Sequence, residues 1–178
     1  MIVIHDKSFE LFITRQQIQE AVNRVADLIA RDFEGQVPLL IPMLNGAFIF
    51  AADLMRALPM DCEVAFIKAK SYEGTSSSGK VIFDLPLKSG ELLNRPIIIV
   101  EDIIDTGHTI AQVLPQLVQY HPTTIKVACL LHKPDALLHP DLPIDYVGMN
   151  IENKFVVGYG LDYDGLGRNY PDIYQLAI

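Results

Sequence analysis

The chain has 178 residues and a mass of 19.9 kDa, with 50% apolar and 20% charged positions, a composition that fits one globular domain with a sizeable core. Its formal charge of -8 argues against a sequence-independent grip on phosphate backbones, so no nucleic-acid partner is expected. Cys62 and Cys129 lie far apart in apolar surroundings without metal-ligand spacing, which predicts free thiols in a reducing compartment. No leader-like N-terminus and no apolar run of membrane-spanning length is present, so a cytoplasmic location and no membrane partner are expected.

In chain order, residues 14–34 predict an amphipathic helix. Ile18, Ala21, Val22, Val25, Ala26, Ile29 and Phe33 recur at the helical period, Thr14 and Gln17 make a capping box, and Gly35 supplies a left-handed stop. "VPLLIP" (37–42) reads as a buried parallel strand, and "MLNG" leads into a helix over 47–58. "EVAFIKAK" (63–70) predicts a strand, followed by the polar "SYEGTSSSG" (71–79) and a further strand, "KVIFDLPL". Ile97–Val100 make a central strand, 109–120 a helix and "TIKVACLL" (124–131) another buried strand, while "YVGMNI" and "FVVGYG" are short ones. Strands alternating with helices give an α/β fold built on a parallel sheet.

The stretch "IIIVEDIIDTGHTI" (97–110) carries the chemistry. Ligands of open parallel sheets sit beyond the carboxyl ends of the strands, where the sequence places Glu101 and Asp102. Residues 105–109 lead into a helix whose unpaired N–H groups and dipole favour an anion. Gly107 lets the backbone approach closely, and Thr106 and Thr109 add hydroxyls. This is a phosphate cradle beside two acids, which suit sugar hydroxyls or a divalent cation. Taken singly, Asp105 or Thr106 reads as a helix cap and the acids as a solvated strand end. An exposed cap, however, does not need a paired acid a few residues upstream.

"VEDIIDTGHT" resembles the ribose-5-phosphate signature of the type I phosphoribosyltransferases. "LNG" (44–46), "KSYEG" (70–74), "LLHKPD" (130–135), "KFVVGYGLDY" (154–163) and "RNYPDIY" (168–174) follow in the order and spacing of the hypoxanthine-guanine enzymes of that family. The resemblance implies the type I phosphoribosyltransferase fold: a mainly parallel sheet flanked by helices, with a small hood formed by the chain termini. It implies Mg2+-dependent transfer of a phosphoribosyl group from 5-phosphoribosyl 1-diphosphate to hypoxanthine or guanine, by a homodimer or homotetramer. A regulator that binds the same sugar diphosphate without turnover is the alternative.

The resemblance assigns Glu101 and Asp102 to the ribose hydroxyls and to magnesium, with Asp162 as a further metal ligand. It assigns Asp105, Thr106, Gly107, His108 and Thr109 to the 5′-phosphate loop, with Asp105 as the acid/base for N7 of the purine. Lys133 matches the donor to the purine O6; an ammonium is donor-only and so rejects a 6-amino group. Phe155 matches the ring that stacks on the base, and the backbone at Val156 and near Asp162 its polar edge. Alone, Phe155 reads as core, Asp162 as a turn residue and Lys133 as a solvated strand end. Arg168, Asn45 and Gly46 match the diphosphate contacts, and Ser71 and Tyr72 the segment that closes over the reaction. Asn45 and His108 stand where relatives often carry basic residues. The remaining histidines, His139 among them, read as structural or surface residues.

Overall fold

The structure is a computed structural model, and it describes residues 1–71, 81–84 and 92–177. Eleven strands, three helices and one 3-10 turn follow along the described residues. They are β1 (Ile2–Ile4), β2 (Lys7–Ile13), α1 (Arg15–Asp32), β3 (Leu39–Leu44), α2 (Phe48–Ala57), β4 (Glu63–Val64), β5 (Ile67–Ser71), β6 (Val81–Asp84) and β7 (Pro96–Ile104). Then come α3 (His108–Val118), β8 (Thr124–His132), the 3-10 turn Pro134–Ala136, β9 (Tyr146–Asn150), β10 (Val156–Val157) and β11 (Ile173–Leu176).

The main sheet runs β6-β5-β3-β7-β8-β9, with β4 also on β3, and every pairing in it is parallel except β5 with β6. The strands feed two cores by simple alternation. Leu40, Ile98, Val100, Ala128 and Leu130 pack under α1 and α2, while Leu39, Ile41, Ile97, Ile99, Val127 and Cys129 pack under α3. Burial on both faces explains the near-continuous apolar runs. Helix α1 begins as predicted: the Thr14 hydroxyl accepts the Gln17 N–H, and the Gln17 side chain accepts the Thr14 N–H at 2.9 Å. Its inward row, Ile18, Val22, Val25 and Ile29, is buried, each side chain contributing about 1.5–3 kcal/mol. The helix stops at Phe33, two residues before Gly35, which serves the following turn with φ +74°.

The hood is the antiparallel sheet β1-β2-β11-β10, drawn from both ends of the chain. The predicted 63–70 strand is divided into β4 and β5, and "FVVGYG" contributes only β10. Strand β7 runs on to Ile104, so Glu101 and Asp102 lie within it, not beyond its end as the sequence suggested. Glu101 pairs with Cys129 across to β8, so the ladder carries the chain through both acids.

Candidate active site

Strands β7 and β8 leave the sheet side by side. Ile104 is in register with His132, and the Lys133 N–H donates to the Ile104 carbonyl at 2.9 Å. The next residues, Asp105 and Lys133, therefore meet: Lys133 Nζ lies 2.6 Å from Asp105 Oδ2. Lys133 is only 5% exposed and also reaches Asn153 Oδ1 at 3.4 Å, while Asp105 stands half-exposed at the rim. Asp105 does not cap α3. That position belongs to Gly107, at φ +77°, whose backbone turns the chain without side-chain help. Thr106 Oγ1 receives only a long contact from the His108 N–H, at 3.4 Å.

The first-turn N–H groups of α3 lack helical acceptors and open on a cavity of about 80 Å³ lined by Glu101 and residues 103–110. Glu101 is 8% exposed. Burial and the neighbouring Asp102 carboxylate push its carboxyl well above the usual carboxylate range. Asp102 is raised too, first by burial, against the Ile103 N–H at 2.8 Å and the Arg168 charge, which favour its ionised form. Burial, with both acids nearby, also pushes the Cys129 thiol up.

On the other side of Asp102 lies the turn between β3 and α2. Asn45 is exposed and follows a cis peptide bond from Leu44. A Cβ at Gly46 would overlap the Asp102 carboxylate, so any larger residue there must displace that side chain. Gly160 in turn lies against the Gly46 carbonyl, and Arg168 Nη1 donates to the Gly160 carbonyl. Arg168 Nη2 also pairs with Asp162 at 2.6 Å, while the other Asp162 oxygen accepts the Gly165 N–H at 2.7 Å. Asp162 is thus both a turn residue and the partner of Arg168.

Phe155 is 45% exposed, with Tyr163 edge-on at 5.7 Å and Phe9 at 6.1 Å behind it, so it is a supported surface ring and not core. Val156 next to it is buried in β10, in register with Gln175. Ser71 ends β5, and Tyr72 lies outside the described residues.

The structure thus brings Glu101, Asp102, Asp105, Lys133, Gly46, Asp162 and Arg168 into one connected set. Four contributors had no motif in the sequence. Leu137 and Leu142 pack over Gly107, and the Leu138 N–H donates to the Thr106 carbonyl at 3.0 Å. His139, expected to be merely structural, lies 3.4 Å from His108 across the loop mouth. Among the described residues no three His, Cys, Asp or Glu side chains converge as an all-protein metal cage. No helix among them is long and apolar enough to cross a membrane.

An antiparallel hood over a parallel sheet, with acids beside a glycine-capped loop at a helix N-terminus, suits a protein that holds a sugar phosphate. The model of the phosphoribosyl transferase domain matches residues 13–164. The chain belongs to the phosphoribosyltransferase family, in its hypoxanthine-guanine branch. It is 36% identical to the hypoxanthine-guanine phosphoribosyltransferase of Mycobacterium tuberculosis, over 93% of this chain and 88% of that one. It is also 36% identical to the hypoxanthine-guanine-xanthine phosphoribosyltransferase of Tritrichomonas foetus, over 89% and 86%. A crystal structure of a hypoxanthine-guanine phosphoribosyltransferase from Bacillus anthracis superposes with a TM-score of 0.86 at 35% identity, covering 97% of this chain and 99% of that one.

Proposed function

We propose that the protein transfers the 5-phosphoribosyl group from 5-phosphoribosyl 1-diphosphate to hypoxanthine or guanine, releasing diphosphate and a nucleoside 5′-monophosphate. The observation that carries this is the Lys133–Asp105 pair at 2.6 Å. O6 and N7 are adjacent on one edge of a 6-oxopurine, so a donor and an acceptor held together address both at once. In the reaction, N9 bonds to C1′ and the C1′–O bond breaks, its electrons leaving with the diphosphate. Asp105 accepts the proton released at N7, and Lys133 donates to O6. Phe155 supplies a supported face for the base, and the Val156 backbone and Asp162 its polar edge.

The N–H groups of residues 106–109 receive the 5′-phosphate, with His108 and Thr109 at the mouth. Glu101 and Asp102 hold the ribose hydroxyls, and the negative charge carried by the pair suits the electron-poor sugar. Asn45, Gly46 and Arg168 receive the diphosphate, and Ser71 and Tyr72 belong to the closing segment. Mg2+ fits Glu101 and Asp102 in its donor chemistry: two adjacent carboxyl groups, one buried and one partly buried, offer oxygen ligands, the usual protein share when substrate oxygens complete the shell. When bound it neutralises the departing diphosphate. Asp162, paired here with Arg168, would be a further ligand.

The free thiols Cys62 and Cys129 support a cytoplasmic location. The exposed Phe48 and Phe66 offer apolar surface for a homodimer or homotetramer. The test is a turnover assay with magnesium, the sugar diphosphate and each of four purine bases. Hypoxanthine and guanine are consumed and adenine is inert; efficient use of adenine overturns the assignment, and no turnover of any base favours a sensor. The Tritrichomonas relative supports including xanthine as the fourth base.

A further inference from the structure

We infer that Tyr159 is a positioning residue for the loop at Asn45–Gly46, acting through Asp53 and Gly160; this rests on the transferase reading above. Tyr159 is buried, at φ +49°, inside the glycine-flanked strap 158–160 of the hood. Its hydroxyl donates to Asp53 Oδ2 on α2 at 2.6 Å, and Arg56 Nη1 holds the other Asp53 oxygen at 2.8 Å. On its far side the strap is pinned to the segment that carries Arg168. The Tyr159 N–H donates to the Tyr170 carbonyl at 2.8 Å and the Gly160 N–H to the Arg168 carbonyl at 2.9 Å.

The consequence falls on Gly46, which precedes Ala47, the N-cap of α2. Gly160 presses on its carbonyl from one side, and the Asp102 carboxylate fills the place of its missing Cβ on the other. Where the strap sits therefore decides where Gly46 sits. Tyr159 packs in the core with Phe50, Ala51 and Leu54 of α2, and an open cleft of about 320 Å³, lined by Ile49, Asp53, Tyr159 and Tyr170 among others, runs beside the contact. The hydroxyl–carboxylate bond adds a directional tie to that packing, and a bond to a charged group is worth more than a neutral one. Tyr159 touches no reacting atom in the proposed mechanism. It holds the loop that receives the diphosphate in line with the platform that receives the base.

The experiment compares wild type, Tyr159→Phe, Asp53→Ala, Asp53→Asn and the double variant Tyr159→Phe/Asp53→Ala. Calorimetry measures affinity for 5-phosphoribosyl 1-diphosphate and for the nucleoside 5′-monophosphate product, and hydrogen exchange follows residues 43–48. Tyr159→Phe and Asp53→Ala weaken the sugar diphosphate about tenfold, the scale of one such hydrogen bond, and the monophosphate by less than about twofold. Both speed exchange at 43–48. Asp53→Asn keeps an acceptor and stays near wild type, and the double variant is no worse than Asp53→Ala, because both changes remove the same bond. Equal losses for the two ligands mean a general structural role and overturn the inference, as does unchanged exchange at 43–48. Failure of the wild type to bind either ligand removes the transferase reading instead, and the exchange measurement still decides whether the strap positions the loop.

Discussion

Asp105 and Lys133 lie 28 residues apart in sequence and 2.6 Å apart in space because the parallel register of β7 and β8 brings Ile104 level with His132. Each side chain leaves its strand one residue later, so the pair is placed by the sheet and not by a flexible loop.

In the proposed roles, Asp105→Asn keeps the fold and nucleotide binding but lowers kcat by roughly 10²–10⁴, the usual share of one positioned acid/base. Lys133→Ala weakens hypoxanthine binding by roughly 10- to 150-fold, from a charge-assisted bond worth about 1.5–3 kcal/mol, and narrows discrimination against adenine. Steady-state kinetics with both bases decide this. Full turnover number in Asp105→Asn reduces Asp105 to a counterion of Lys133.

Arg168 already has two protein partners, Asp162 and the Gly160 carbonyl, so a diphosphate must compete with Asp162 for it. Arg168→Ala is expected to weaken the sugar diphosphate by roughly 10- to 150-fold and the monophosphate product far less, since the product lacks that group. Asn45→Lys partly restores binding in that background, because a positive charge returns to the same pocket. Titration of both ligands against the two single variants and the double variant tests it. Equal weakening of both ligands shows that Arg168 is not a diphosphate residue.

Glu101 gives a pH signature. Its folded-state pKa is raised by burial and by the Asp102 charge, so its protonated form favours folding. That stability is fully present below its unfolded value of about 4.3 and is lost as pH rises through the folded value. Glu101→Gln removes the loss: the unliganded variant melts higher than wild type at neutral pH, and the difference shrinks towards pH 4. Affinity for the sugar diphosphate falls in the same variant. A melting temperature unchanged at neutral pH contradicts the buried, strained acid described here.

The predicted helices were legible because their signals are local. Thr14 and Gln17 announce α1, and the apolar runs of β3, β7 and β8 announce strands covered on both faces. Position along a strand was less legible. Glu101 and Asp102 look like the end of β7 by composition, yet ladder pairing with β8 extends the strand to Ile104. The hood strands β1, β2 and β11 gave no usable pattern. The pairing of β2 with β11 slips at Ile173 and Tyr174, which face Ile13 and Leu11, so Phe12 interrupts the period-2 alternation. Of the candidate site, Asp105 and Lys133 came from motifs, but their mutual contact needed the register. Asp53 has no sequence signal at all: it is one acid on a helix until Tyr159 is seen to reach it.

The placing of β11 between β2 and β10 has a consequence for how the protein is made. β11 follows every other described element in sequence, yet it is an inner strand of the hood, paired with β2 on one edge and β10 on the other. Phe9 meets Leu176 in that pairing, a contact between residues near opposite ends of the chain. Contacts of such separation close the longest loops and form late. During synthesis the parallel sheet can assemble while the β1–β2 hairpin waits for its third strand, and Val156 and Val157 beside Phe155 wait with it. The nascent chain thus acquires the loop proposed to hold the phosphate well before it acquires the seat proposed for the base.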